Sequence, residues 1–118
     1  MRVDGTGFGY IIVDGVRYDY DVVITDRVMN RKKELSAVES GHTPLTGEEV
    51  LHYFSERPPE VLVVGTGQSG LMPLSGVEEA CEKLNIELIV ERTPDAVRTF
   101  NKLRESGRRV NAIFHVTC

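Results

Sequence analysis

The stretch Gly65-Thr66-Gly67-Gln68-Ser69-Gly70 is where this chain concentrates the residue types that could bind a small ligand. Glycines let a backbone turn tightly and approach a ligand closely, and consecutive exposed amides form a concavity suited to anions. Arg92 would add a planar, charged donor, and the hydroxyls of Thr93 and Thr117 would orient what is bound. The spacing Gly65-x-Gly67-x-x-Gly70 also matches the dinucleotide fingerprint, and Glu91 stands 21 residues beyond Gly70, near the place of a ribose-binding acid. That fingerprint works only if a helix opens within the glycines, so that its N-terminus meets the pyrophosphate. Here Met72-Pro73-Leu74-Ser75 intervenes, and no cofactor is expected. A plain structural turn competes with a site for a small anion.

The other reactive side chains form no recognisable constellation. His42, His52 and His115 are far apart, and none belongs to a pair with metal-ligand spacing. His52 falls off the apolar face of its helix, and His115 reads as a hydrogen-bonded core histidine. Cys81 sits on an apolar helix stripe and is expected to pack as a small hydrophobe. Cys118, the last residue, would carry a carboxylate beside its thiol, which disfavours the thiolate. Asp19 and Asp21 read as the solvated outer face of a strand, with Tyr18 and Tyr20 on its opposite side. Arg104, Arg108 and Arg109 cluster at a helix end, where they complement the dipole. A second basic group, Arg31-Lys32-Lys33, would have to meet them to make a patch. No catalytic residue and no metal ligand is assigned.

These residues need elements to hold them. Phe8–Val13 and the alternating Val16–Ile24 flank Asp14-Gly15, the dipeptide favoured in two-residue hairpin turns because both positions need positive φ. Residues 26–45 fit a third short strand near 27–31 or a surface loop equally well. Thr46 with Glu49 forms a capping box ahead of Val50, Leu51 and Phe54, and Pro58-Pro59 stops that helix. Val61–Val64 is all-apolar, as strands buried on both faces are. Ser75 with Glu78 repeats the box before the stripe Val77, Ala80, Cys81 and Leu84. Ile86–Val90 is the next strand. Thr93-Pro94 caps the stripe Ala96, Val97, Phe100 and Leu103, Gly107 suits the exit, and Val110–Val116 closes the order.

Strand starts near 61, 86 and 110 with a helix between each pair have βαβ spacing, which makes the three strands parallel. The expected fold is α/β, with three layers and a mixed central sheet. It has a parallel βαβαβ core and an added N-terminal antiparallel hairpin, all in one domain over 1–118. Loops beyond the carboxyl ends of parallel strands gather at one edge. That edge would bring together the glycine loop, Glu91-Arg92-Thr93 and Thr117-Cys118.

Composition narrows the partners. The chain has 118 residues, 41% of them apolar and 27% charged, as in an ordinary globular domain. Fourteen basic against eighteen acidic side chains give a net charge of −4, a poor match to nucleic acid. The longest apolar runs, such as Tyr10–Val13, are far shorter than the ~20 residues of a membrane span. A cytoplasmic location is expected.

Three blocks carry a family resemblance. They are Pro59-Glu60-Val61-Leu62-Val63-Val64-Gly65-Thr66-Gly67, Thr93-Pro94-Asp95-Ala96-Val97-Arg98-Thr99-Phe100-Asn101-Lys102-Leu103, and Gly107-Arg108-Arg109-Val110-Asn111-Ala112. With the hairpin and His42-Thr43-Pro44-Leu45-Thr46 they span nearly the whole chain. The chain resembles a small domain shared by archaeal and bacterial proteins of unknown function, by mitochondrial complex I assembly factor 3 and by the adipogenesis-associated domain protein. The resemblance implies a three-layer α/β fold and brings no catalytic residues. It points to binding other proteins during assembly. Family members often carry a tryptophan after the second strand; this chain has none, and Val28–Lys33 is basic instead. The expected function is a non-enzymatic protein-binding or assembly module, with other proteins or a second copy as partner. The alternative is a small enzyme or ligand sensor for an anionic metabolite at the glycine edge; a dinucleotide oxidoreductase is disfavoured.

Overall fold

The apolar run Val61–Val64 sits where its composition requires, at the centre of a sheet covered on both faces. The computed structural model describes residues 1–31 and 44–118. In chain order the elements are β1 (Val3–Gly7), β2 (Tyr10–Val13), β3 (Val16–Tyr18), β4 (Val22–Ile24), β5 (Val28–Asn30) and β6 (Leu45–Thr46). Then follow α1 (Gly47–Phe54), β7 (Val61–Gly65), β8 (Leu74–Ser75), α2 (Val77–Leu84), β9 (Glu87–Glu91), α3 (Thr93–Glu105) and β10 (Val110–Phe114). The five-stranded sheet runs β5-β4-β10-β7-β9, with β7 parallel to both β10 and β9, and β4 antiparallel to β10. The expected βαβαβ core and mixed sheet are present.

Alternation along the central strands divides the core. Val61 and Val63 of β7 pack with Val110, Ala112 and Phe114 of β10 against α3 and the small sheet β1-β2-β3. Leu62, Val64 and Ile113 face the other way, against α1 and α2. These are the three layers. On α3 the stripe Ala96, Val97 and Phe100 is buried, and the Phe100 and Phe114 rings meet edge-on at 5.8 Å. A phenylalanine buried this way contributes roughly 1.5–3 kcal/mol through lost water contact alone.

The structure departs from the sequence reading at several places, and the last strand, β10, ends at Phe114 and not at Val116. First, Val16–Ile24 is not one strand. β3 pairs with β2 around the Asp14-Gly15 turn, where φ is +49° and +79°, while β4 belongs to the large sheet. The chain changes sheets between them because the Asp21 carboxylate is drawn inward, so Asp21 is buried and not on a solvated face. Second, β1 adds a strand ahead of the hairpin, and Phe8 lies in the turn between β1 and β2. Third, the Ser75–Glu78 box does not cap α2; Gly76, at φ +73°, is the N-cap, and Ser75 pairs in β8 with Thr46 of β6. Fourth, Arg92 is the N-cap of α3, and Thr93 and Pro94 are its first two residues. The stretch 27–31 does contain a strand, β5, and Thr46 does cap α1, its hydroxyl accepting from the Glu49 amide at 3.2 Å. Glu49 itself turns into the core instead of reaching back to the cap. Among the described residues, no helix is long and apolar enough to cross a membrane.

Candidate functional site

The parallel arrangement of β7, β9 and β10 brings their carboxyl ends to one rim, and the three expected segments meet there. Thr93 is the joint between them. Its hydroxyl accepts from the Gly67 amide at 2.8 Å and donates to the His115 carbonyl at 2.6 Å, tying the loops after β7 and β10 to the start of α3. Gly65 is required at this crossing: a Cβ there would stand 2.7 Å from Thr93 Oγ1 and 2.9 Å from the Phe114 ring. Gly67, at φ +114°, lies against the main chain of Cys118, a position closed to any side chain.

The amides of the glycine loop are committed within the chain. Thr66 N donates to Glu91 O, Gln68 N to Thr117 O, Ser69 N to Cys118 O, Gly70 N to Gly67 O, Leu71 N to Cys118 O and Met72 N to Thr66 O. The Gln68 side chain bonds Thr6 Oγ1 and the Val116 carbonyl. The open polar side chains on this rim include Ser69, exposed on the loop, and Arg92, which sits 3.7 Å from Asp95. α2 begins at Val77, beyond β8 and well past Gly70, so its N-terminus does not meet the glycines. Glu91 accepts a hydrogen bond from Thr99 at 2.6 Å. The geometry a dinucleotide fingerprint needs is therefore not built here.

Below the rim lies a charged network that residue spacing did not reveal. Arg31 is buried among two carboxylates: Asp21 Oδ2 at 3.0 Å from Nη1, and Glu49 with Oε2 at 2.7 Å from Nε and Oε1 at 3.1 Å from Nη2. Tyr53 donates to Glu49 at 2.9 Å, and the Pro44 carbonyl accepts from Arg31 at 2.8 Å. Asp21 also accepts from the Val116 amide at 2.9 Å and from His115 Nδ1 at 2.7 Å. Among the described residues, every buried side-chain polar atom has a partner. This satisfies the requirement that charges withdrawn from water be paired and hydrogen-bonded. Burial by itself would raise the Asp21 carboxyl; the hydrogen bond and charge of His115, the Val116 amide and Arg31 outweigh it and hold it below its ordinary value. Burial likewise opposes the charge on Arg31, and Glu49 and Asp21 overcome it, so its guanidinium is raised.

His115 continues the network outward. Its Nε2 lies 3.1 Å from Thr117 Oγ1, so Asp21, His115 and Thr117 form a carboxylate–imidazole–hydroxyl chain ending at the half-exposed Thr117. An ionised Asp21 only accepts, so Nδ1 carries a proton toward it, and Thr117 Oγ1 stands within hydrogen-bond distance of Nε2. His115 is a hydrogen-bonded core histidine, as expected, but it lies one residue beyond β10 and not on the strand. Cys81 is buried in the core, and burial pushes its thiol up to about 11. His52 is exposed. Arg31 is held in this network and does not join Arg104, Arg108 and Arg109; Lys32, Lys33 and His42 lie outside the described residues.

Around the 115–118 segment the rim also carries large apolar side chains in water. Gly9 N donates to Val116 O, Asp21 accepts from Val116 N, and Leu71 N donates to Cys118 O. Next to these anchors stand Phe8 at 70%, Tyr20 at 37% and Leu71 at 55% exposure.

Residues 3–115 match a family model described as a protein of unknown function (DUF498/DUF598). Among solved structures, the chain is similar to MT938, at 30% identity over 99% of this chain and 98% of that one, with a TM-score of 0.84. It is similar to the conserved hypothetical protein PH1505 from Pyrococcus horikoshii OT3, at 33% identity over 100% of both chains and a TM-score of 0.81. A Mth938-like domain from Bordetella pertussis, solved in solution, is similar at 25% identity over 98% of this chain and 85% of that one, with a TM-score of 0.60.

Proposed function

The chain belongs to the DUF498/DUF598 family of proteins of unknown function, and we propose that it works as a binding module. Its surface is the carboxyl rim, and it engages a protein partner that presents apolar side chains. One observation carries this reading. The loop amides that could have cradled an anion are consumed inside the chain, while Phe8, Tyr20 and Leu71 stand exposed around the same 115–118 segment. Large apolar side chains clustered at one place on a surface mark interaction sites, and aromatic residues are enriched where partners dock. The charged network beneath ties Arg31, Glu49 and Asp21 to His115 and the Val116 amide, and a surface that is already held in place loses less freedom on association. A second copy of the chain is the partner tested first, by sedimentation across a wide concentration range. Reversible self-association is expected in the native chain, and its loss in a Phe8→Ser/Leu71→Ser variant that keeps the native melting temperature. A native chain that stays monomeric at every concentration removes the second copy as the occupant.

A second reading, a small enzyme or sensor for an anionic metabolite at the Gly65–Gly70 edge, draws on the Thr117–His115–Asp21 chain. A hydroxyl hydrogen-bonded to an imidazole that a carboxylate orients is the arrangement of an activated nucleophile. Acyl transfer also needs donors aimed at the developing oxyanion, and the loop amides are already engaged. Ester turnover by the native chain that disappears in folded His115→Gln and Thr117→Ala variants would favour this reading over the first.

A further inference from the structure

The opposite rim, at the amino ends of β7 and β10, holds an open cleft of about 640 Å³. A five-residue strand, roughly 16 Å long, separates it from the glycine loop. Its walls come from the β4–β5 turn, the end of α1 with the segment after it, the end of α3 and the entry to β10. Five arginines line it, Arg27, Arg57, Arg104, Arg108 and Arg109, against two carboxylates, Asp26 and Glu56. In a chain of net charge −4, that is a concentration of positive charge against the overall sign.

Not all five are open to a ligand. Arg104 is spent on main-chain carbonyls, its Nη2 reaching Thr25 O and Val110 O at 2.7 Å, and its guanidinium lies 4.9 Å from the Phe100 ring centre. Arg108 is flanked by Glu60 at 3.4 Å and Glu87 at 3.6 Å. Arg57 approaches Asp26 only at 4.0 Å. Arg109 reaches the Pro58 carbonyl at 3.4 Å and no carboxylate with its guanidinium, and Arg27 makes no ion pair among the described residues. The negative ends of α1 and α3 also point toward this rim, and Arg104 is placed to answer the latter. That leaves Arg27 and Arg109 as exposed cations with no carboxylate on their guanidinium among the described residues, beside an equally exposed Arg57 held only loosely by Asp26, in a concave site whose remaining wall includes the apolar Met29, Tyr53 and Pro58.

We propose that this cleft binds a small phosphorylated metabolite. Its phosphate is held by Arg27 and Arg109 and its organic part lies against Met29, Tyr53 and Pro58. The volume falls within the range of small-molecule sites, and guanidinium forks match the oxygens of a phosphate in pairs. Asp26 and Glu56 oppose the anion and restrict where its charge can sit. The two rims are separate, so this inference and the binding-module reading stand or fall independently.

The test is amide-shift mapping with titration of inorganic pyrophosphate, a nucleoside monophosphate and a sugar phosphate, each against the full chain. At least one organic phosphate should bind more tightly than pyrophosphate and shift the amides of 25–29, 53–57 and 109–111. The Arg27→Ser/Arg109→Ser variant should weaken it by at least about tenfold, as the loss of two charge-assisted contacts implies. Both side chains are exposed, and an unchanged melting temperature confirms that the variant is folded. The proposal is overturned if none of the three probes shifts these amides. It is equally overturned if the shifts centre on Gly65–Gly70, or if the double variant binds as well as the native chain.

Discussion

Thr93 shows how much one hydroxyl decides in this molecule. It accepts from the amide of one loop and donates to the carbonyl of another, in a spot closed to solvent. Replacing it with valine keeps the shape and leaves both main-chain groups buried without a partner. Thr93→Val should therefore lower unfolding stability by about 2–5 kcal/mol, read from the urea midpoint. Arg31 decides as much through charge. Without it, Asp21 and Glu49 lose the cation between them, and Arg31→Met is expected to cost about 3–5 kcal/mol in the same measurement. Neither role was legible in the sequence. Thr93 followed by proline reads as a helix cap, since the partners that place it one position inside the helix lie 26 and 22 residues away. Asp21 alternates with Asp19 and so reads as solvated, because its partners Arg31 and His115 lie 10 and 94 residues off. Alternation records which side a side chain leaves a strand, not what waits there.

At the scale of elements, ends were harder to read than middles. The stripes of α1, α2 and α3 face the core where the periodicity placed them, with Leu51, Leu84 and Leu103 only partly buried, but two of the three N-termini are capped differently from the side-chain signals. Caps depend on the approach angle of the preceding segment, and at α2 that angle is fixed by the pairing of β8 with β6. The exit of α2 is clearer. Asn85 adopts the left-handed conformation at φ +60°, and its amide donates back to Cys81 O and Glu82 O. Asn85→Gly should leave stability unchanged or slightly raised, and Asn85→Ala should lower it by about 1 kcal/mol, a contrast visible in paired thermal melts. The same geometry of turns explains the split of Val16–Ile24. An aspartate held inward by Arg31, His115 and the Val116 amide bends the chain from one sheet to the next, giving β3 and β4 different partners.

The whole molecule should respond to acid through the buried network. Asp21 is held below its ordinary 3.8, so the folded state binds its proton less readily than the unfolded state. Its contribution is complete above about pH 4 and is lost as pH falls through the lower folded-state value. Urea midpoints measured from neutral pH downward should fall in that acid window. Asp21→Asn should start lower and lose less over the same window. The parallel core, its layers and the meeting of three segments at one rim can all be read from the order of residues along the chain. Those follow from apolar runs and helical periodicity, which are local and report burial directly. What the rim offers is set by packing in three dimensions. Whether an amide faces a ligand or a neighbouring carbonyl, and whether a charge meets water or a buried counter-charge, depends on groups distant in the chain. Their meeting is a property of packing, which no local pattern records.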